Sequence, residues 1–196
     1  MANENKIGAI FLDADGVLWK DIGPGGIFSG KNHSIQNLSL LSSARQKMYL
    51  KIVVSNQTFA AKKKMNYIKF RFLTYTFFKS LIKLDLLDDF VICYHHPNAK
   101  NFFLKKECNC RKPLPGLINL MITKHNISPE KSFLIGDRIT DIQAGTSAGI
   151  KHLFLVANPR MLEINENSSV APLQSTFVPL KELKEFSLAT DMLNEN

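Results

Sequence analysis

Apolar residues gather in short dense runs along the chain, separated by segments of helical period. Five runs read as strands: Ile7 to Leu12, Lys51 to Val54, Phe90 to Tyr94, Ser132 to Ile135 and Lys151 to Val156. Each is short and mostly apolar, as expected of strands covered on both faces. Ser34 is a candidate N-cap for a helix carrying Ile35, Leu38, Leu41 and Met48. A longer helix is expected from about Lys62 to Leu84, with Met65, Ile68, Phe72 and Phe78 turned inward. Pro115 suits the first turn of another, ahead of Leu117, Ile118 and Met121, and Ser128 to Glu130 marks a turn into the next strand.

This alternation predicts an α/β fold, a doubly wound parallel sheet with helices on both faces. We expect a single domain over residues 1–196, with its core at about 7–156 and a C-terminal extension at 157–196. In such sheets ligands bind beyond the carboxyl ends of the strands, and polar residues cluster there. Asp13 and Asp15 follow the first strand, Ser55, Asn56 and Gln57 the second, Cys93 and His95 the third, and Gly136, Asp137 and Asp141 the fourth. Asp21 to Asn32 is a glycine-rich loop, Asn165 to Thr176 reads as a surface connection or a mobile tail, and the last residues are expected to fray.

The 196 residues, 45% hydrophobic and 21% charged, suffice for one buried core. No apolar run approaches the roughly 20 residues of a membrane span, and the opening residues lack the pattern of a cleavable leader. A cytoplasmic monomer without membrane contact is the expectation. The net charge of +8 favours anionic partners. The basic residues are scattered, Lys62 to Lys64 being the one run and reading as a solvated helix face. With no nucleic-acid module in the chain, a small phosphorylated molecule fits better than a nucleic acid.

Two constellations carry chemistry. Asp13, Asp15, Asp137 and Asp141 would converge at the strand ends, where carboxylates within ~5 Å of one another repel unless a cation intervenes. Hard oxygen ligands select Mg²⁺. Of the D-x-D pair, the first can be a nucleophile on phosphorus and the second a proton donor and acceptor. Gly16 lets the chain turn tightly after them. The second constellation is C-x-H-x12-C-x-C, from Cys93 and His95 to Cys108 and Cys110. Three thiolates and an imidazole complete a tetrahedral, structural Zn²⁺ site. His96 adjoins His95, and side-chain alternation from Cys93 favours His95. Such a site would staple the loop that presents Arg111 and Lys112.

D-x-D-G-V-L after strand one, S-N-Q after strand two, the lysine of C-R-K-P and the later G-D-R-x-x-D together resemble the haloacid dehalogenase (HAD) superfamily of phosphotransferases, over about Ile7 to Val156. The resemblance implies that Asp13 forms an aspartyl-phosphate, that Asp15 is general acid and then general base, and that Asp13, Asp15 and Asp137 hold Mg²⁺. It further implies that Ser55 and Asn56 contact the phosphoryl oxygens and Lys112 neutralises them. Asp141 lies either near the metal or against Lys112. The C-x-H-H-P and C-x-C-R-K-P-x-P-G elements resemble the zinc-containing branch that holds heptose bisphosphate and histidinol-phosphate phosphatases, which lack a large cap domain. There Arg111 and Arg138 would bind substrate or phosphate. The chain departs from that branch in T-F-A-A-K-K-K after S-N-Q and in the segment from Trp19 to Gly30, both at the substrate mouth. Trp19 is read as a tryptophan packed on the domain, or as a stacking or lid residue. The expected reaction is hydrolysis of a small phosphorylated sugar, foremost a heptose 1,7-bisphosphate. The alternatives are histidinol phosphate, a DNA 3′-phosphate, or a non-catalytic zinc-stabilised anion-binding module.

Overall fold

A computed structural model describes residues 6–19, 41, 44, 49–62, 66–157 and 176–179. The strands are β1 (Ala9–Leu12), β2 (Leu50–Asn56), β3 (Asp89–Cys93), β4 (Phe133–Gly136), β5 (His152–Ala157) and β6 (Thr176–Pro179). The helices are α1 (Phe59–Lys62), α2 (Tyr67–Lys83), α3 (Gly116–His125) and α4 (Ile139–Ser147). All pairings are parallel, in the order β3-β2-β1-β4-β5-β6. The chain winds outward from β1 to β3, then returns to set β4 on the other side of β1. That reversal opens a crevice between the carboxyl ends of β1 and β4.

Side-chain alternation in the strands divides the core into two layers. Ile10, Leu12, Val53, Phe133 and Ile135 face one way, against Phe78 and Leu81 of α2 and the helical residues Leu41 and Ala44. Phe11, Ile52, Val54, Leu134 and Leu155 face the other way, against Leu117, Ile118 and Met121 of α3 and Ile142 of α4. The five expected strands and the helix after Pro115 are present. β6 is an addition, a four-residue run within the segment read as an extension.

α2 corrects the expected phase. Asn66 caps it, its side-chain oxygen accepting the Lys69 N–H, and the buried stripe is Phe70, Thr74, Phe78 and Leu81. Ile68 and Phe72, expected inside, are 77% and 64% exposed. Apolar residues surround this helix, so spacing alone does not fix which side faces the sheet. Asp21 to Asn32, most of the helix expected after Ser34, Met65, Asn165 to Ser175 and the terminal residues lie outside the described residues. No helix among the described residues is long and apolar enough to cross a membrane.

Candidate active site

Asp13 stands one residue beyond β1, its N–H continuing the ladder to the carbonyl of Ile135 at 2.9 Å. Gly16 has φ +83°, and a Cβ there would lie 2.3 Å from Oδ2 of Asp137. Glycine thus serves twice, in the left-handed turn and in the close approach of the β1 and β4 loops. Asp137 follows β4 directly. Asp141 sits in the first turn of α4, where Oδ2 accepts the Arg138 N–H at 3.0 Å. Gly136 makes room for it, since a Cβ there would meet the Asp141 Cβ at 2.3 Å.

Lys112 enters from the β3–α3 connection and is 4% exposed. Its Nζ lies 2.8 Å from Asp13 Oδ1 and 2.7 Å from Asp141 Oδ1, and donates to the Val54 carbonyl at 2.7 Å. Burial alone would lower the pKa of this ammonium; the carboxylates of Asp13 and Asp141 more than offset it, so Lys112 stays charged well above neutrality. For Asp141 burial is the largest influence and raises the pKa, Lys112 pulls against it, and Asp13 reinforces it. Asp13, Asp137 and Asp141 are all buried and offer carboxylate oxygens within 4.8 Å of one another. Three carboxylates against one ammonium is a donor set suited to a divalent cation with hard oxygen preference.

Asp15, read as a magnesium ligand and as the proton carrier, turns its side chain to two donors. Its oxygens accept hydrogen bonds from Trp19 Nε1 at 2.7 Å and Gln57 Nε2 at 2.8 Å. Asp141 pairs with Lys112 and stands in one carboxylate group with Asp13 and Asp137. Ser55 is buried at the end of β2. The side chain of Asn56, read as a phosphate contact, clasps the Lys112 backbone: its Nδ2 donates to the Lys112 carbonyl at 3.1 Å and its Oδ1 accepts the Lys112 N–H at 3.2 Å. Arg111 donates to the His95 carbonyl at 3.3 Å. The Arg138 side chain is largely exposed, with Nε 3.8 Å from Asp137 Oδ1. Trp19 is packed on the domain, 1% exposed against Phe77 and Phe78. In the sequence Gln57 stands out only as part of the polar cluster after the second strand. Its spacing of two from Ser55 on an extended segment is the signal that puts both on one side.

The second constellation assembles where β3 ends. Sulfur separations are 3.7 Å for Cys93–Cys108, 3.3 Å for Cys93–Cys110 and 3.1 Å for Cys108–Cys110. His95 Nδ1 lies 3.8 Å from the Cys93 sulfur and 3.3 Å from that of Cys110. Tetrahedral zinc bonds imply roughly 3.8 Å between sulfurs and 3.6 Å from sulfur to nitrogen, whereas a disulfide needs about 2.05 Å. The cluster is close to the first and far from the second. Burial pushes the Cys93 thiol up, and Cys110 adds to it, a crowding that a cation relieves. His95 belongs to the cluster; His96 accepts the Asn98 N–H on its own Nδ1. Cys110 lies two residues before Lys112, so the loop tied by sulfur is the one that delivers the lysine.

A HAD-hydrolase-like family model matches residues 109–161. Over 154 residues the chain is 34% identical to a D-glycero-alpha-D-manno-heptose-1,7-bisphosphate 7-phosphatase of Photorhabdus laumondii, covering 78% of this chain and 84% of that one. It belongs to this family of HAD-like phosphatases. Similarity extends to the D-glycero-beta-D-manno-heptose-1,7-bisphosphate 7-phosphatases of Helicobacter pylori, 34% identical over 80% of this chain and 87% of that one, and Escherichia coli K12, 30% identical over 77% and 80%. Among solved structures, the D,D-heptose 1,7-bisphosphate phosphatase of B. bronchiseptica, complexed with magnesium and phosphate, superposes with a TM-score of 0.72. That match covers 97% of this chain and 100% of the other at 22% identity, and it establishes the shared HAD-like fold. As a member of this family the protein is an enzyme, a phosphatase.

Proposed function

We propose that this HAD-family phosphatase removes the C7 phosphate of D-glycero-D-manno-heptose 1,7-bisphosphate, with Asp13 as nucleophile. The observation that carries the reading is the buried group of Asp13, Asp137 and Asp141 closed by Lys112. Attack by an Asp13 oxygen forms the bond to phosphorus as the ester bond breaks, and Asp15 gives its proton to the departing sugar oxygen. Water then adds to the phosphorus of the aspartyl-phosphate, giving its proton to Asp15, and Asp13 is released. Ser55 donates a hydrogen bond to the transferred group, and Lys112 balances charge on the phosphoryl oxygens and on Asp13. Magnesium, held by Asp13 and Asp137 with Asp141 beside them, would supply charge neutralisation for the incoming phosphate.

Zinc fits Cys93, His95, Cys108 and Cys110 as a closed, structural ion that fixes the Arg111–Lys112 segment. Arg111, next to Lys112, and Arg138, next to Asp137, carry planar guanidinium groups suited to a second phosphate. The names of the relatives favour the heptose bisphosphate over the alternatives.

The test is phosphate release from a panel: both anomers of the heptose bisphosphate, histidinol phosphate and a 3′-phosphorylated oligonucleotide, with and without Mg²⁺. A clear preference for the heptose compound that vanishes without Mg²⁺ and in Asp13→Asn is expected. Preference for the imidazole compound or the oligonucleotide overturns the substrate, and appreciable turnover by Asp13→Asn overturns the nucleophile.

A further inference from the structure

The side chain that moves the proton in this reaction is gripped by two groups to which the reaction itself assigns no part. Oδ1 of Asp15 takes the indole N–H of Trp19 at 2.7 Å, and Oδ2 takes the amide of Gln57 at 2.8 Å. The donors come from different elements. Trp19 closes the tight turn after β1, its carbonyl accepting the Gly16 N–H at 2.7 Å, whereas Gln57 follows β2 and donates its backbone N–H to the Cys93 carbonyl at 2.9 Å. Both are immobilised by burial: the Trp19 ring lies 5.4 and 5.8 Å from those of Phe77 and Phe78, and Gln57 is 8% exposed.

The Gln57 amide nitrogen also donates to Ser55 Oγ at 3.2 Å. A hydroxyl that accepts from one side is left to turn its own proton elsewhere. One amide thereby sets two groups of the site, the plane of the Asp15 carboxyl and the direction of the Ser55 O–H.

We propose that Trp19 and Gln57 are positioning residues for proton transfer at Asp15, and that Gln57 in addition aims the Ser55 hydroxyl at the transferred phosphoryl group. The inference rests on the phosphatase reading above. Both act through the side chains they hold, Trp19 through Asp15 and Gln57 through Asp15 and Ser55. Their contribution falls in the step in which the Asp13–phosphorus bond forms, the phosphorus–ester oxygen bond breaks, and the Asp15 proton passes to that oxygen. A carboxyl fixed by a donor on each oxygen meets the leaving oxygen in one orientation, whereas a carboxyl released from either donor samples several and delivers the proton less often.

The test compares two esters that differ in their need for that proton. An alkyl phosphate departs as an alkoxide unless protonated, whereas 4-nitrophenyl phosphate departs readily as the phenolate. In the Mg²⁺-loaded full chain, Trp19→Phe keeps a ring in the core and removes the N–H, and Gln57→Leu keeps most of the volume and removes the amide. Trp19→Phe is expected to lower kcat/KM for the alkyl ester about 10- to 100-fold, at or below the lower end of what general acids contribute, with less than about a threefold loss on the nitrophenyl ester; Gln57→Leu, which also releases Ser55, is expected to lower both, the alkyl ester by about 10-fold more than the nitrophenyl ester. The ratio of kcat/KM values reports the phosphoryl-transfer step before the shared aspartyl-phosphate is hydrolysed. Gln57→Leu supplies the comparison independently of any stability lost by altering the Trp19 core. Equal losses on both esters, or none, overturn the positioning role. Failure of the unmodified enzyme to hydrolyse either ester overturns the phosphatase reading, and this one with it.

Discussion

Replacing Lys112 with methionine tests the electrostatic arrangement most directly. The side chain is 4% exposed, and its Nζ lies within 2.8 Å of Asp13 and 2.7 Å of Asp141. Removing one partner of a buried ion pair leaves its mate uncompensated and costs about 3–5 kcal/mol. In a chain of this size each kcal/mol moves Tm by about 2–4 °C, so Lys112→Met should melt about 6–20 °C below the unmodified protein in metal-free buffer. The Val54 carbonyl also loses its donor, which works in the same direction. With the ammonium gone, the three carboxylates depend more heavily on an added cation. Mg²⁺ should therefore raise the variant's Tm by more than it raises that of the unmodified protein. Scanning calorimetry with and without Mg²⁺, with far-UV circular dichroism as a check on the fold, makes the measurement. A Tm drop below about 2 °C with native secondary structure would refute the reasoning, since the carboxylates would then need neither Lys112 nor a metal to coexist.

Two further outcomes follow from the sulfur cluster and from a charge network away from the crevice. Elemental analysis should find one zinc per chain in the unmodified protein and less than half of that in Cys108→Ser. That variant should lose stability and turnover together as the loop carrying Lys112 loosens; full zinc content in it would contradict the ligand set. Asp89 accepts hydrogen bonds from Lys124 at 2.6 Å and His125 at 2.7 Å, tying the end of α3 to the start of β3. Burial raises the Asp89 pKa, but the bonds from Lys124 and His125 more than offset it, so the carboxyl lies below its ordinary 3.8. A carboxyl depressed on folding contributes stability above its unfolded pKa and loses it as pH falls through the folded value. Asp89→Asn should therefore cost up to about 1 kcal/mol at pH 7, a screened and partly exposed interaction. The gap should shrink as pH falls below the ordinary carboxyl value of 3.8. A gap that persists undiminished at the acid end in urea titrations would place its origin elsewhere.

Much of this architecture was legible because parallel strands leave their signatures at their ends. A strand buried on both faces reads as an apolar run, and Asp13, Ser55 and Asp137 stand out as the first polar residues after such runs. The cysteine spacing was equally direct, since ligand chemistry leaves few uses for three thiols and a histidine in one loop. What escaped depends on direction rather than position. Asp15 and Asp141 both follow strands, yet Asp141 joins Asp13 and Asp137 and pairs with Lys112, while the Asp15 carboxylate bonds to Trp19 and Gln57. Asn56 carries the right chemistry for a phosphate, yet its amide matches a peptide backbone equally well and is used there. The phase of α2 was hidden by apolar residues on every side of the helix, and β6 by its four-residue length.

The missing Cβ at Gly16 bears on how such an enzyme can diversify. With Asp137 pressed against that position, residue 16 tolerates no side chain, and the loops after β1 and β4 are held close to each other. New substrate preferences in this lineage would then have to be written around the opening, in segments such as the sulfur-held loop, while the chemistry underneath is inherited unchanged.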